Sequence, residues 1–448
     1  MSSFIMSRHR RHVTAGAAVG CSLALVLTAC SGSTGSKASG DNASCDGVNV
    51  LMHSQPPMQK GLETVAAAFE AANKGAKIKF TFVPSENFAN VRNARLTAGG
   101  LDITEGNSSG ATRATPSYVK GIPASDWVRG LDAGLWTELH GKGLENFSPG
   151  VRKALQYKGK DYSVPTGISY VTGLYYNQDM FNKLGIKLPT TFDELVAAAE
   201  KLKGAGITPL MMGGAEKWPV GLLMEGVASS SIPDMAAFDK GLWTGKTAFT
   251  DPDAVEVLKK VKTLYSYAEP TFPGISAATV TGSFVAGKAA MIPDGSWGAD
   301  GISLLKPKFK WGYFPLPGSD NPKNNAILRG KLETNMAIPA NAKHKACAAR
   351  FLEFYSQPAN YQAFIAEAGF LPAMADVKST QFLQSIAHYS AKEGFAPTWE
   401  GVFSPNPAAG KDARVGFPYD KIAPMGNQSD MEALAKSTQT AWAAALPK

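Results

Sequence analysis

Apolar and polar positions switch period several times along the chain, and the switches mark out elements. VNVLMH, residues 48–53, is an apolar run of strand length. Over 61–72, Leu62, Val65 and Phe69 recur at helical spacing, and Gly75 closes the run. IKFTFVP, 78–84, alternates as a strand. Residues 87–98 read as a second helix stopped by Gly99-Gly100, and LDIT, 101–104, reads as a third strand. Strand, helix, strand, helix, strand predicts an α/β fold with a parallel sheet covered by helices on both faces. Ligands of such sheets sit beyond the carboxyl ends of the strands. Gln55 and the loop EGNSSG lie there.

The middle of the chain repeats this grammar. YSVPTGISYVTGLYYN holds two extended runs broken at Pro165 and Gly167. Thr191 and Glu194 form a capping box that opens a helix over 192–203. Asp251-Pro252 supplies an N-cap and a proline at the first helical position for a helix reaching Tyr265. Residues 277–286 are helical, KAAMIP is a short strand, 342–355 is an amphipathic helix, and a C-terminal helix runs over about 429–445.

Ahead of these elements, Arg8, Arg10 and Arg11 precede an apolar run from Ala15 to Ala29 that has the length of a signal-peptide core and not of a membrane span. The Ser/Gly-rich stretch after Cys30 has the composition of a flexible spacer. The chain that remains is long enough for two lobes or domains. Apolar content of 44% and charged content of 18% describe an ordinary globule. The formal charge of +8 is scattered, whereas a nucleic-acid binder concentrates its cations on one element. No nucleic acid, metal or cofactor is expected. Cys45 and Cys347 are left as thiols that an oxidising space would allow to pair, and the sequence leaves that pairing open.

Gly106-Asn107-Ser108-Ser109-Gly110 fits the G-x-S-x-G of serine hydrolases. That elbow needs an immediate helix, and Pro116 interrupts the segment after the turn; the four histidines beyond the leader stand isolated. The turn is expected to be a binding loop. A hydrolase using paired carboxylates is the alternative reading, since acidic residues are many and their separations are not legible in sequence.

Four stretches carry a resemblance: GLWTEL (134–139), GKDYSVPTGISYVTGLYYNQDMFNKLGIKLPTTFDELVAAAEKLK (159–203), FVAGKAAMIPDGSW (284–297) and ACAARFLEFYSQPANYQAFIAEAGFLPA (346–373). They resemble the extracellular solute-binding proteins of ABC importers, in the group containing the maltose-binding protein. LTAC, ending at Cys30, resembles a lipobox, whose cysteine is lipidated after cleavage. The resemblance implies a two-lobe periplasmic-binding-protein type II fold with the ligand in the cleft between lobes. Carried over, residues 1–29 are a lipoprotein signal, 30–47 a lipidated linker, 46–167 with 313–357 lobe one, and 168–312 with 358–448 lobe two. Crossings are expected near 165–170 and 312–317. The implied partners are a carbohydrate, the transmembrane subunits of an ABC permease and, through a lipid anchor, the outer face of the cytoplasmic membrane. The protein would act as a monomer and not as an enzyme.

A sugar offers apolar C–H faces and a rim of hydroxyls, so its receptor needs a flat aromatic ring and fixed polar groups. Trp297 in DGSW matches the family's stacking tryptophan, with Asp294 in the same loop. Tyr170 lies where the maltose-binding protein has a carboxylate, Glu216 and Trp218 match a Trp-Pro loop of lobe two, and Asp126-Trp127 resembles the acidic-aromatic segment before GLW. Gln55, Asn107 and Ser108 follow strands one and three. Arg329 and Glu333 lie where the chain re-enters lobe one, with an ion pair between them as the plainer alternative.

Overall fold

The computed structural model describes residues 45–106, 115–391, 395–410 and 416–447. The leader, Cys30, the spacer, Asn107 and Ser108 lie outside the described residues. In β1 (Asp46–His53) Val48, Val50, Leu51 and Met52 are buried. α1 (Pro56–Ala72) starts earlier than the helical spacing alone indicates, because Pro56 and Pro57 occupy the first turn, where an N–H has no helical partner anyway. β2 (Lys77–Val83), α2 (Ser85–Thr97) and β3 (Ile103–Glu105) complete the opening unit. β1 pairs in parallel with both β2 and β3, as the element order predicts.

After α3 (Asp126–Asp132) and α4 (Pro149–Leu155) come three short strands, β4 (Ser163–Pro165), β5 (Ile168–Tyr170) and β6 (Gly173–Asn177). α5 (Gln178–Lys183), α6 (Phe192–Gly204), α7 (Trp218–Ser231), α8 (Met235–Thr244), α9 (Pro252–Tyr265) and α10 (Ala277–Val285) lead to β7 (Met291–Pro293), α11 (Gly298–Leu304) and β8 (Trp311–Pro315). The chain returns through β9 (Arg329–Leu332) and β10 (Asn335–Ala337) to α12 (Lys345–Tyr355) and α13 (Pro358–Ala368). It ends through α14 (Gln381–Ser385), β11 (Ala396–Pro397), α15 (Trp399–Val402) and a last helix, Met431–Ala445.

These strands form three sheets, ordered β2-β1-β3-β10-β4, β11-β9-β5 and β7-β6-β8. β4, β5 and β6 step through the three in turn, and β8, β9 and β10 step back, antiparallel to them throughout. The first passage lies at 165–173. The second begins at β9 rather than at 312–317, because β8 stays zipped to β6 from Trp311 to Pro315, with Phe314 in the same core.

One apolar core joins β1 and α1 to α12 and α13 through Val50, Leu62, Phe69, Phe351, Tyr355 and Phe364. A disulfide between Cys45 and Cys347, with Cα atoms 5.3 Å apart, links its two ends. A second core gathers α6, α7, α9 and the last helix around Leu195, Leu223, Val257 and Trp442. Residues 358–377 were expected with the second group, but Tyr361, Phe364, Phe370 and Val377 pack in the first. Helical periodicity shows that a segment has a buried face and not which core receives it.

Candidate functional site

β1 and β3 end side by side, and their last residues meet. The backbone N–H of His53 donates to Glu105 Oε1 at 2.5 Å, and the ring Nδ1 faces the same oxygen at 2.6 Å. Glu105 is buried. Burial opposes charge on the His53 ring, but the bond to Glu105 and the carboxylates of Glu105 and Glu333 outweigh it, against Lys331, and raise its pKa above the ordinary value. Arg92, on α2, donates to the carbonyls of Glu105 and Gly106 at 3.2 and 3.4 Å. Gln55 is the N-cap residue of α1, yet its side chain makes no capping bond. Its Oε1 and the Oε1 of Glu333, a residue only 8% exposed between β9 and β10, are both buried without a hydrogen-bond partner among the described residues. A buried acceptor left unpaired is costly, and a ligand that brings a donor relieves that cost.

The second set stands at the end of β7. Gly295 backs the indole of Trp297 so closely that a Cβ there would lie 2.2 Å from the ring, and only glycine fits. Trp297, half-buried, is packed partly against the first core although it leaves the sheet of β6 to β8. Trp218, 45% exposed at the start of α7, lies 6.3 Å from it at 56°. Burial lifts the Asp294 carboxyl to about 7, against the bonds it accepts from Gly295 N and the Trp297 side chain.

Lys331 joins the two sets. Its Nζ lies 5.8 Å from the centre of the Trp297 ring. Its charge is felt by His53 on one side and by Glu225 of α7 on the other. Aromatic surface, unpaired acceptors and cationic donors thus collect where the three sheets meet. Sequence reasoning missed His53, Glu105, Arg92 and Lys331. The first two had a signal, His53 as the last residue of its run and Glu105 as the residue after LDIT, both at the sheet's carboxyl edge.

Other expected residues are placed differently. The Tyr170 hydroxyl is bonded to Ser390 Oγ at 2.6 Å, and its side chain is buried in β5. Trp127 is buried against Trp136 at 4.8 Å, with its indole nitrogen unpaired among the described residues. Asp126 is exposed and pairs with Arg129. Glu216 accepts from Ser276 Oγ at 2.7 Å and from Ala277 N at 2.8 Å. It therefore closes the first turn of α10, and these bonds outweigh its burial to lower its pKa. Arg329 donates to the carbonyl of Pro397 at 3.2 Å instead of pairing with Glu333. Among the described residues no group of three His, Cys, Asp or Glu side chains could hold a metal ion. A hollow of about 630 Å³ between α9 and the last helix lies elsewhere; its Lys259 and Glu432 pair with each other, and among the described residues no aromatic ring lines it.

Mixed sheets joined by crossing strands, with polar and aromatic groups at the junction, define a two-lobed α/β binding protein. The match to the bacterial extracellular solute-binding protein family runs over residues 54–362, and the chain belongs to that family. The multiple sugar-binding protein of Streptococcus mutans serotype c is 27% identical over 343 residues, 74% of this chain and 75% of that protein. An uncharacterized ABC transporter extracellular-binding protein of Pyrococcus horikoshii is 26% identical over 280 residues, 57% of this chain and 60% of its own. The solved structure of the solute-binding protein RafE in complex with raffinose superposes with a TM-score of 0.68 at 22% identity, covering 88% of this chain and 98% of that one, and so shares the fold.

Proposed function

We propose that this protein is the capture component of an ABC importer and that its solute is a neutral carbohydrate, a hexose such as galactose or a short oligosaccharide of the maltose type. The observation that carries this reading is the pairing of indole surface, Trp297 with Trp218, with the buried unpaired acceptors of Gln55 and Glu333. A ring face stacks on the first, and the hydroxyl rim donates to the second. The names of the Streptococcus and Pyrococcus relatives and the raffinose held by RafE point the same way. Lobe one is then built on the β1 sheet with α12 and α13, lobe two on the β6 sheet with α6 to α11, and the cleft lies between them. Cys30 carries the lipid that keeps the receptor at the outer face of the cytoplasmic membrane beside its permease, and the protein works as a monomer without converting its ligand.

A thermal-shift screen over galactose, maltose and raffinose, followed by calorimetry, tests the reading. Affinity in the micromolar range, about −8 kcal/mol, suits capture followed by release. Trp297→Ala is expected to weaken the best sugar at least tenfold, about 1.4 kcal/mol. A folded variant with unchanged affinity removes the stacking role. Stabilisation by phosphate or an amino acid and by no sugar removes the ligand class.

A further inference from the structure

Between β3 and α3 the chain makes an excursion that neither sheet requires. It leaves the first sheet at Gly106, whose N–H bonds to the Asn335 carbonyl, and it is back at that sheet by Trp127 and Leu131, which pack with Ala337. In between, Tyr118, Val119 and Ile122 lie against the other core, the one built from α6 to α9 and the last helix. The Tyr118 hydroxyl donates to Asp239 Oδ2 of α8 at 2.6 Å. Asp239 is fully buried and also accepts from Ser404 N at 2.7 Å and Ser404 Oγ at 2.8 Å, so the anchor is itself fixed from a third segment. Gly121, at φ +71°, passes Pro447 so closely that a Cβ would lie 2.8 Å from the proline ring. The return is equally defined, with Ser125 Oγ accepting from Val128 N to open α3.

We propose that residues 115–125 are a strap tying lobe two to lobe one, and that the Tyr118–Asp239 hydrogen bond makes Tyr118 a positioning residue for solute retention. The inference rests on the two-lobe receptor reading. The crossing strands join the lobes through the backbone, and any motion that parts them must bend there. The strap adds a tie of side-chain contacts, buried at its far end and separate from the ligand groups. Parting the lobes breaks the bond to Asp239 and exposes Val119 and Ile122, so the strap favours the closed arrangement whether or not solute is present. Capture still proceeds through the opened form, while release must break the tie. With the empty receptor tied shut as well, opening precedes both events, and the strap slows association as well as dissociation.

Two measurements on the full chain test this. The first compares wild type with Tyr118→Phe, which loses only the hydroxyl, and with Ile122→Ser, by electron–electron distance measurement between spin-labelled non-natural residues replacing Lys74 and Lys201. A longer-distance population in both variants without added sugar is expected, and identical distributions overturn the strap. The second follows release, by stopped flow, of whichever of galactose, maltose and raffinose the wild type binds. Tyr118→Phe is expected to speed it about threefold to tenfold, the span of one hydrogen bond, and to speed association as well through its larger open population. A lowered melting temperature with unchanged distances and unchanged release marks a pin that only holds a surface segment, and rejects the proposal. If the wild type takes none of the three sugars the ligand reading fails instead, and the distance measurement still decides on the strap.

Discussion

At the scale of single residues, the most consequential group outside the ligand set is Glu225. Burial, with the neighbouring Glu400 carboxylate, lifts it to about 8 from an ordinary 4.5, against the bond from Glu400 N and the charge of Lys331. The folded chain keeps this proton across a window, from about 4.5 to about 8, in which the unfolded chain has lost it. The stabilisation is full below the lower value and is lost as pH rises through the upper one. Glu225→Gln keeps an oxygen for Glu400 N and has nothing to titrate. Scanning calorimetry is expected to show the wild type losing on the order of a few kcal/mol relative to this variant between pH 5 and 8; parallel profiles would show Glu225 ionised throughout. Asp294, lifted to about 7, acts in the same direction over a lower window. The loop position of Trp297 was legible in sequence, because DGSW follows a short apolar strand and carries a glycine; the stacking role came from the family resemblance. Glu216 was misleading, because the groups it binds, Ser276 and Ala277, arrive some sixty residues later. Lys331 gave no signal at all: a lysine in a short strand looks like any solvated cation.

Among elements, the disulfide is the sharpest test of how the first core is tied. It fastens the start of β1 to α12 across a sequence separation of 302. Cys347→Ser is expected to lower stability by about 2–4 kcal/mol, read from the urea midpoint, because the unfolded chain gains the freedom of a very long loop. A midpoint unchanged from wild type would mean that the packing of Phe351 and Tyr355 holds α12 without the bond. Local order made the opening strands and helices legible: each partner lies within a few tens of residues, and hydrophobic period, proline and glycine mark their ends. β4 and β10 were not legible as members of that sheet, since Val164 meets Met336 across a long stretch of intervening chain. The same distance hid the seat of α13, whose buried face fits either core by pattern alone.

For the molecule as a whole, a captured solute should appear as added stability. At a hundredfold excess over Kd, a ligand that binds only the folded chain adds about 2.7 kcal/mol, and the melting temperature should climb with the logarithm of sugar concentration. A flat response would show that the sugar does not bind the folded chain in preference to the unfolded one. The joint between the sheets governs what such binding does to shape. β5 and β9 run in opposite directions, bonded from Ile168–Leu332 to Tyr170–Gly330. With β11 paired along the outer edge of β9, this is a narrow three-stranded ribbon, and such a ribbon behaves like a leaf spring: it yields across its thin dimension and stays stiff against sliding and shear. On the proposed two-lobe reading, such a ribbon would confine the halves to nearly one coordinate of movement, so that every solute that seats correctly would drive them to the same end point and leave a transporter only one outline to inspect.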